Sequence, residues 1–220
     1  MSGKIAVLGA TGYVGSKITS EALDRGYEVV AINKSGSTTG IKSKNMDKLH
    51  SVAIDATDKA NLVKAFQGCI AVIHAGAPPK SCDVKSAIDY QQKLTTTILD
   101  AAVEAKVGRV LAVGGAGTLL TNGKRNMDAE GFPAAFEVAA KSTERVLNIV
   151  LAEKRLPAAV LCPSLDLFEG ERTGKYRTNG DETVFAADGT SRISTSDFAV
   201  AMIDELQKKA HMTGRFTAGY

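Results

Sequence analysis

Apolar residues follow two alternating rhythms along this chain. Short runs rich in β-branched residues predict strands over Lys4 to Leu8, Glu28 to Ile32, Ser51 to Ile54, Ile70 to His74, Arg109 to Val113 and Ala158 to Cys162. Nearly continuous apolar runs of this kind suit strands covered on both faces. Between them, apolar positions recur at helical spacing: Val14, Ile18 and Ala22, then Leu94, Ile98, Ala101 and Ala105. A further helix is expected from about Ala134 to Lys154, carrying Phe136, Ala139, Val146 and Val150, and a last one puts Phe198, Met202 and Leu206 on one stripe. Gly26 and Gly108 stand where helices end, and Ser194-x-x-Asp197 reads as a capping box. Strand–helix alternation without an internal repeat predicts βαβ units. The expected fold is therefore α/β, a doubly wound parallel sheet of the Rossmann type, forming a single domain over 1–220.

Two connections, 114–133 and 163–190, are longer than a crossover needs. Both follow strands at their carboxyl ends, the edge at which ligands sit in open α/β sheets, and are expected to wall a substrate site. Composition removes other classes. With 44% hydrophobic and 23% charged residues the chain is globular, and a formal charge of +3 without a basic block argues against a nucleic-acid partner. Cys69, Cys82 and Cys162 lie far apart, with no Cys-x-x-Cys and no His-x-x-His, so no metal site is expected and a reducing cytoplasm is the natural compartment. The first apolar run, Ile5 to Leu8, is too short for a signal peptide or a membrane span, and no membrane partner is expected. Monomer and homodimer both remain open.

The first strand runs directly into Gly9-Ala10-Thr11-Gly12-Tyr13-Val14-Gly15 and then into an amphipathic helix. Strand, glycine turn and helix together make a dinucleotide-phosphate site. Gly9 allows the sharp turn, Gly12 removes a side chain that would strike a pyrophosphate, and Gly15 lets helix and strand approach. Backbone N–H groups around Thr11, Tyr13 and Val14 then face the phosphates, aided by the positive end of the helix dipole.

The Gly-x-x-Gly-x-x-Gly spacing resembles the short-chain dehydrogenase/reductase superfamily in its extended and atypical branches. That resemblance implies that Asp55-Ala56 meets the adenine ring, that Ala75-Gly76-Ala77 after His74 passes under the cofactor ribose, and that Gly114 and Pro163 approach the nicotinamide. More narrowly, Val113-Gly114-Gly115-Ala116-Gly117-Thr118, the run Gly170 to Tyr176, Ser191-Arg192-Ile193-Ser194 with Asp197, and the ending Arg215 to Tyr220 are similar to the atypical branch named NADH-flavin reductases. The implied activity is NAD(P)H-dependent reduction of a small-molecule acceptor.

Enzymes preferring NAD place a carboxylate at the end of the second strand, where it binds both ribose hydroxyls. Here that place reads Asn33-Lys34-Ser35. With no acid there, and with Lys34, Lys42 and Lys44 available to neutralise a 2′-phosphate, NADP(H) is expected over NAD(H). The superfamily's carbonyl reductases protonate their substrate with a tyrosine four residues before a lysine. Lys141 is the lysine candidate, but Glu137 and not tyrosine precedes it, and Gly114, Gly115 and Ala116 replace the usual serine, leaving Thr118 as the nearest hydroxyl. Glu137 and Lys141 at this spacing read as a helix-surface ion pair. Thr118, Glu137 and Lys141 are weak catalytic candidates; His74 reads as a structural histidine and Cys162 as a buried hydrophobe. Asn122, Lys124, Arg125, Glu171, Arg172 and Arg177 are the other polar residues expected near the pocket.

Flavins and quinones accept hydride without a protein acid, so loss of the tyrosine points to a flavin or quinone-like acceptor. The alternative is a non-catalytic NADP(H)-sensing regulator or scaffold of the same superfamily. A sugar epimerase or dehydratase fits least, because those relatives keep the tyrosine.

Overall fold

In the computed structural model, which describes residues 3–220, the elements follow in the order β1 (Lys4–Leu8), α1 (Gly15–Asp24), β2 (Glu28–Asn33), β3 (Leu49–Ala53), α2 (Lys59–Phe66), β4 (Cys69–His74), α3 (Val84–Glu104), β5 (Val110–Val113), β6 (Leu120–Thr121), β7 (Lys124–Arg125), α4 (Glu137–Ala152), β8 (Ala158–Pro163), β9 (Asp166–Phe168), β10 (Arg177–Asn179), β11 (Arg192–Ser194), α5 (Thr195–Lys208) and β12 (Gly214–Gly219). Eight strands make one sheet in the order β10-β12-β8-β5-β4-β1-β2-β3. Every neighbouring pair is parallel except β10 and β12. The winding reverses at β1, with β2 and β3 to one side and β4, β5 and β8 to the other. A crevice therefore opens at the carboxyl ends of β1 and β4.

The uninterrupted apolar strands are explained by helices on both faces. Ile5 and Val7 of β1, with Val29 and Ala31 of β2, pack with α1 and α5. Their alternates Ala6, Leu8, Val30 and Ile32 pack with α2, α3 and α4. Arg109, buried just before β5, donates to the Glu205 carboxylate and to the His211 carbonyl, tying the start of β5 to α5 and to the approach of β12.

Several boundaries differ from the sequence pattern, each for a tertiary reason. β3 starts two residues earlier than expected because Leu49 pairs with Val29 of β2. The first turn of the helix expected from Ala134 is a 3₁₀ turn, Ala134–Phe136, and α4 itself ends at Ala152. The pattern does not announce α2, whose eight residues bury only Leu62 and Phe66; the local signal is Asp58, which accepts from the Asn61 N–H. β12 is likewise unannounced, being short and glycine-bounded.

The two long loops are ordered against each other. Asn122 and Gly123, both with positive φ, close the β6–β7 hairpin, an Asn-Gly signal legible in the sequence. Thr183 N–H donates to the Leu120 carbonyl and Leu120 N–H to the Asp181 carbonyl, joining this hairpin to the second loop. Residues 170–176 dock on the start of α5: the fully buried Asp197 carboxylate accepts from Thr173 N–H, Thr173 Oγ1, Gly174 N–H and the Tyr220 hydroxyl. The motif that carries the family resemblance here thus forms a buried polar hub.

A second network joins α1 to α5 through Arg172, Glu21, Arg25 and Asp204. Burial alone would raise the Asp204 pKa, but hydrogen bonds from Lys208, Tyr176 and Arg25 outweigh it and bring the group from its ordinary 3.8 to about 2. A carboxyl whose folded value lies below its unfolded value stabilises the fold above the unfolded value, and that contribution is lost as pH falls. Urea unfolding should therefore show stability declining from pH 3.8 towards pH 2, and Asp204→Asn should flatten that decline; an unchanged slope in the variant excludes this account.

Candidate functional site

The turn after β1 is built by the close approach of three backbone segments. Gly9 has φ +71°, its N–H donates to the Ile32 carbonyl at 3.0 Å, and a Cβ there would sit 2.5 Å from the Ala75 carbonyl oxygen. A Cβ at Gly15 would fall 2.0 Å from the Gly9 carbonyl oxygen. Gly15 thus permits the turn to close on itself, where the expectation was helix–strand contact. Gly12 differs from both: it is exposed, and among the described residues the one close neighbour of a Cβ there would be the Gly9 carbonyl oxygen at 3.2 Å.

Helix α1 follows Val14 at its N-cap, with no side-chain cap and no acidic residue in its first turn. Its first N–H groups and the positive dipole end therefore lack a protein anion, which suits a pyrophosphate. Thr11 is half-buried and Tyr13 exposed. The Tyr13 hydroxyl donates to the Leu167 carbonyl of β9 at 3.4 Å, linking the turn to the second long loop. Burial, then the Glu169 and Asp166 carboxylates, raise its pKa and keep it protonated. This link lies 154 residues apart in sequence and has no local signal.

At the end of β2, Asn33 organises the following loop. Its Oδ1 accepts from Ser35 N–H, Ser35 Oγ and Ser37 N–H, and its Nδ2 donates to the Ser37 carbonyl. Lys34 follows β2 directly, and its Nζ lies 3.2 Å from Asp55 Oδ2. Two residues expected to help it do not: the Lys42 N–H donates to Ser20 Oγ, and Lys42 and Lys44 line a cleft with Asp24 and Arg25 along the carboxyl-terminal half of α1. The chain between Gly36 and Lys44 folds back over α1 and carries these lysines away from the β2 end. Ala56, beside Asp55, packs on the α2–α3 side of the core.

The β4 turn lies directly under the phosphate turn, with Ala75 N–H donating to the Leu8 carbonyl at 3.0 Å. His74 is buried, and burial lowers its pKa to about 4, so the ring is neutral. Gly76 N–H donates to Nδ1, which leaves the proton on Nε2, facing Thr95 Oγ1 at 3.2 Å. Gln91 Nε2 donates to the Gly76 carbonyl, fixing the small-residue turn in place, while Ala77 is exposed beyond it. His74 is structural, as its sequence position suggests.

At the end of β5 there is no room for the serine of related enzymes. A Cβ at Gly114 would lie 2.5 Å from Cys162 Sγ, and one at Gly115 would lie 2.2 Å from Thr143 Oγ1. Thr118 is not an available hydroxyl: it is 1% exposed and donates to the Gly115 carbonyl. The Cys162 thiol is buried, which pushes its pKa up to about 11. Pro163 ends β8 beside Ala218 of β12.

The expected Glu137–Lys141 ion pair is not formed. Lys141 Nζ lies 3.6 Å from Glu144, one turn on in the other register, and Glu144 also binds Arg125 from the β6–β7 hairpin. Glu137 projects into solvent at the start of α4. The loop cations expected to meet an anionic substrate are engaged: Arg125 with Asp128 and Glu144, Arg172 with Glu21, and Arg177 with the Phe185 carbonyl. Glu171 contributes its carbonyl to Ser194 Oγ. Asn122 lies at the hairpin tip with Lys124 exposed after it.

A switch-point crevice, an open glycine turn and an uncapped helix start define a Rossmann-type nicotinamide-dinucleotide-binding protein. The sequence profile of the NAD(P)H-binding family matches residues 9–206, and the chain belongs to that family. It is similar over 97% of both chains, at 31% identity, to the uncharacterised protein YwnB of Bacillus subtilis. Among solved structures, a proposed epimerase from Bacteroides thetaiotaomicron is 35% identical with a TM-score of 0.86, covering 100% of this chain and 98% of its own. A proposed NADH-flavin reductase from Streptococcus pneumoniae is 28% identical with a TM-score of 0.84 over 99% of each chain. No helix among the described residues is long and apolar enough to cross a membrane.

The three glycines should respond differently to substitution. Gly12→Asp sets its Cβ 3.2 Å from the Gly9 carbonyl oxygen, a milder conflict than at Gly9, so the protein should stay folded with a smaller loss of melting temperature than Gly9→Val, while dinucleotide binding is lost by charge repulsion. Gly9→Val should lose binding together with stability, because its Cβ would strike Ala75 and its φ is unfavourable for a β-branched residue. Calorimetric melting and titration of both variants check this; unchanged affinity in folded Gly12→Asp contradicts it.

Proposed function

We propose that the protein is an NAD(P)H-dependent reductase that passes hydride to a flavin or quinone-like acceptor, with NADPH preferred and NADH accepted. The observation that carries this reading is the chemistry of the crevice wall. Where carbonyl reductases present a serine and a tyrosine, this chain has Gly114 and Gly115 pressed against Cys162 and Thr143, and an exposed Glu137. The hydroxyls beside these glycines both donate to backbone carbonyls, the buried Thr118 to Gly115 and Thr143 to Ala139. A carbonyl oxygen needs a proton as hydride arrives; an oxidised flavin or quinone is protonated readily from water.

A nicotinamide dinucleotide, when bound, supplies the hydride. The protein's own part is orientation. Gly12 and the first N–H groups of α1 hold the pyrophosphate, the Ala75-Gly76-Ala77 turn supports the ribose, and Gly114 and Pro163 bound the ring end. Lys34 faces the 2′-phosphate. Likeness to the Streptococcus pneumoniae protein supports the flavin acceptor, and the missing tyrosine weighs against epimerase chemistry like that proposed for the Bacteroides thetaiotaomicron neighbour.

Purified protein should oxidise NADPH when flavin mononucleotide or a benzoquinone is supplied; failure with both, in protein that binds NADPH, transfers the reading to a dinucleotide sensor. Two variant sets sharpen this. Lys34→Glu should weaken NADPH by about 1–3 kcal/mol more than NADH, and equal losses in titration would show that Lys34 does not read the phosphate. Neither Glu137→Gln nor Lys141→Met should lower the single-turnover hydride rate tenfold at saturating NADPH. A loss of about a hundredfold or more in either would reveal acid–base chemistry and restore carbonyl substrates.

A further inference from the structure

The acid missing from the end of β2 reappears from β3. Parallel pairing sets Asn33 beside Ala53, with Ile54 N–H donating to the Asn33 carbonyl, so the first residues beyond both strands come together. Asp55 Oδ2 there meets Lys34 Nζ at 3.2 Å. Its other oxygen is occupied: Oδ1 accepts from Thr57 N–H at 3.0 Å and from Thr57 Oγ1 at 2.9 Å. Those two bonds, then Lys34, hold the carboxyl below the usual range, so it is charged at neutral pH. The Thr57 bonds also hold the carboxylate's position on the loop, whereas Lys34 is a long side chain that must choose among anions.

We propose that Asp55 sets how strongly this protein discriminates NADPH from NADH, by engaging Lys34 at the ribose end of the crevice. This rests on the reading of Lys34 as the partner of the 2′-phosphate. A 2′-phosphate entering the site meets a lysine already paired and a carboxylate that repels it. A 2′-hydroxyl meets no such penalty. Asp55 thereby acts from the third strand as the acid at the end of the second strand does in NAD-preferring enzymes, but through Lys34. Both side chains are largely exposed, 69% and 51%, so solvent weakens the pair and the discrimination it removes is modest.

The test is a double-variant cycle read by equilibrium titration of NADPH and of NADH into the wild-type chain, Asp55→Asn, Lys34→Met and the combination, at one ionic strength. Asp55→Asn preserves shape and the acceptor for Thr57. It should raise the ratio of the NADH Kd to the NADPH Kd by about three- to tenfold, and in the Lys34→Met background that rise should fall below about twofold. Proportional weakening of both dinucleotides would make Asp55 an adenine contact alone and overturn the proposal. A rise of equal size in both backgrounds would assign direct repulsion without Lys34, and overturns it too. Failure of the underlying reading looks different: Lys34→Met itself then leaves the ratio unchanged. If Lys34→Met lowers the ratio and Asp55→Asn does not raise it, the NADPH reading stands and the role of Asp55 falls.

Discussion

The contact between Gly9 and the Ala75 carbonyl is the constraint on which the site depends. It is possible only without a side chain at position 9, and a Cβ at position 15 would meet the Gly9 carbonyl at 2.0 Å. These two approaches seat the start of α1 above the ends of β1 and β4. The winding order reverses there, so the helix N-terminus opens onto the crevice and is not covered by the next crossover. Packing and the candidate site are thus one arrangement: the glycines that close the turn also set the start of α1 at the crevice.

At the end of β5, close packing leaves no room for side chains. Gly114 and Gly115 let β5 approach Cys162 of β8 and Thr143 of α4, and Thr118 spends its hydroxyl on the Gly115 carbonyl. A serine at Gly114 would need the side chains of Cys162 and Val160 to move. Missing catalytic groups and tight packing of β5 are therefore the same fact seen from two sides. Around this floor, the polar residues of the two long loops mainly hold those loops to the scaffold, through Asp197, Glu21 and Glu144. The two loops are held in place by charged groups already paired within the protein.

Much of this was legible in the chain because it is local. A continuous apolar run, a glycine turn and an amphipathic helix specify β1, the phosphate turn and α1 within 24 residues, whatever else surrounds them. Alternation of strands and helices likewise determined the parallel sheet, since crossover connections allow few topologies. The burial of His74 and Cys162 followed from their positions in apolar strands.

Partners of long side chains were decided only by tertiary structure, because several oppositely charged residues lie within reach and backbone placement selects among them. Lys141 could meet Glu137 or Glu144 along its own helix, and the hairpin that brings Arg125 to Glu144 gathers the charges there. Lys42 and Lys44 follow the β2 end in sequence but are carried over α1 by the loop. Lys34 stands directly after β2, and its charge is answered by Asp55, 21 positions on, through the register of β2 with β3. The sequence by itself determined the strand, glycine turn and helix start at the head of the chain; the pairing of strands decided which charges meet one another at the ends of β2 and β3, because electrostatic partners follow distance in space and not order along the chain.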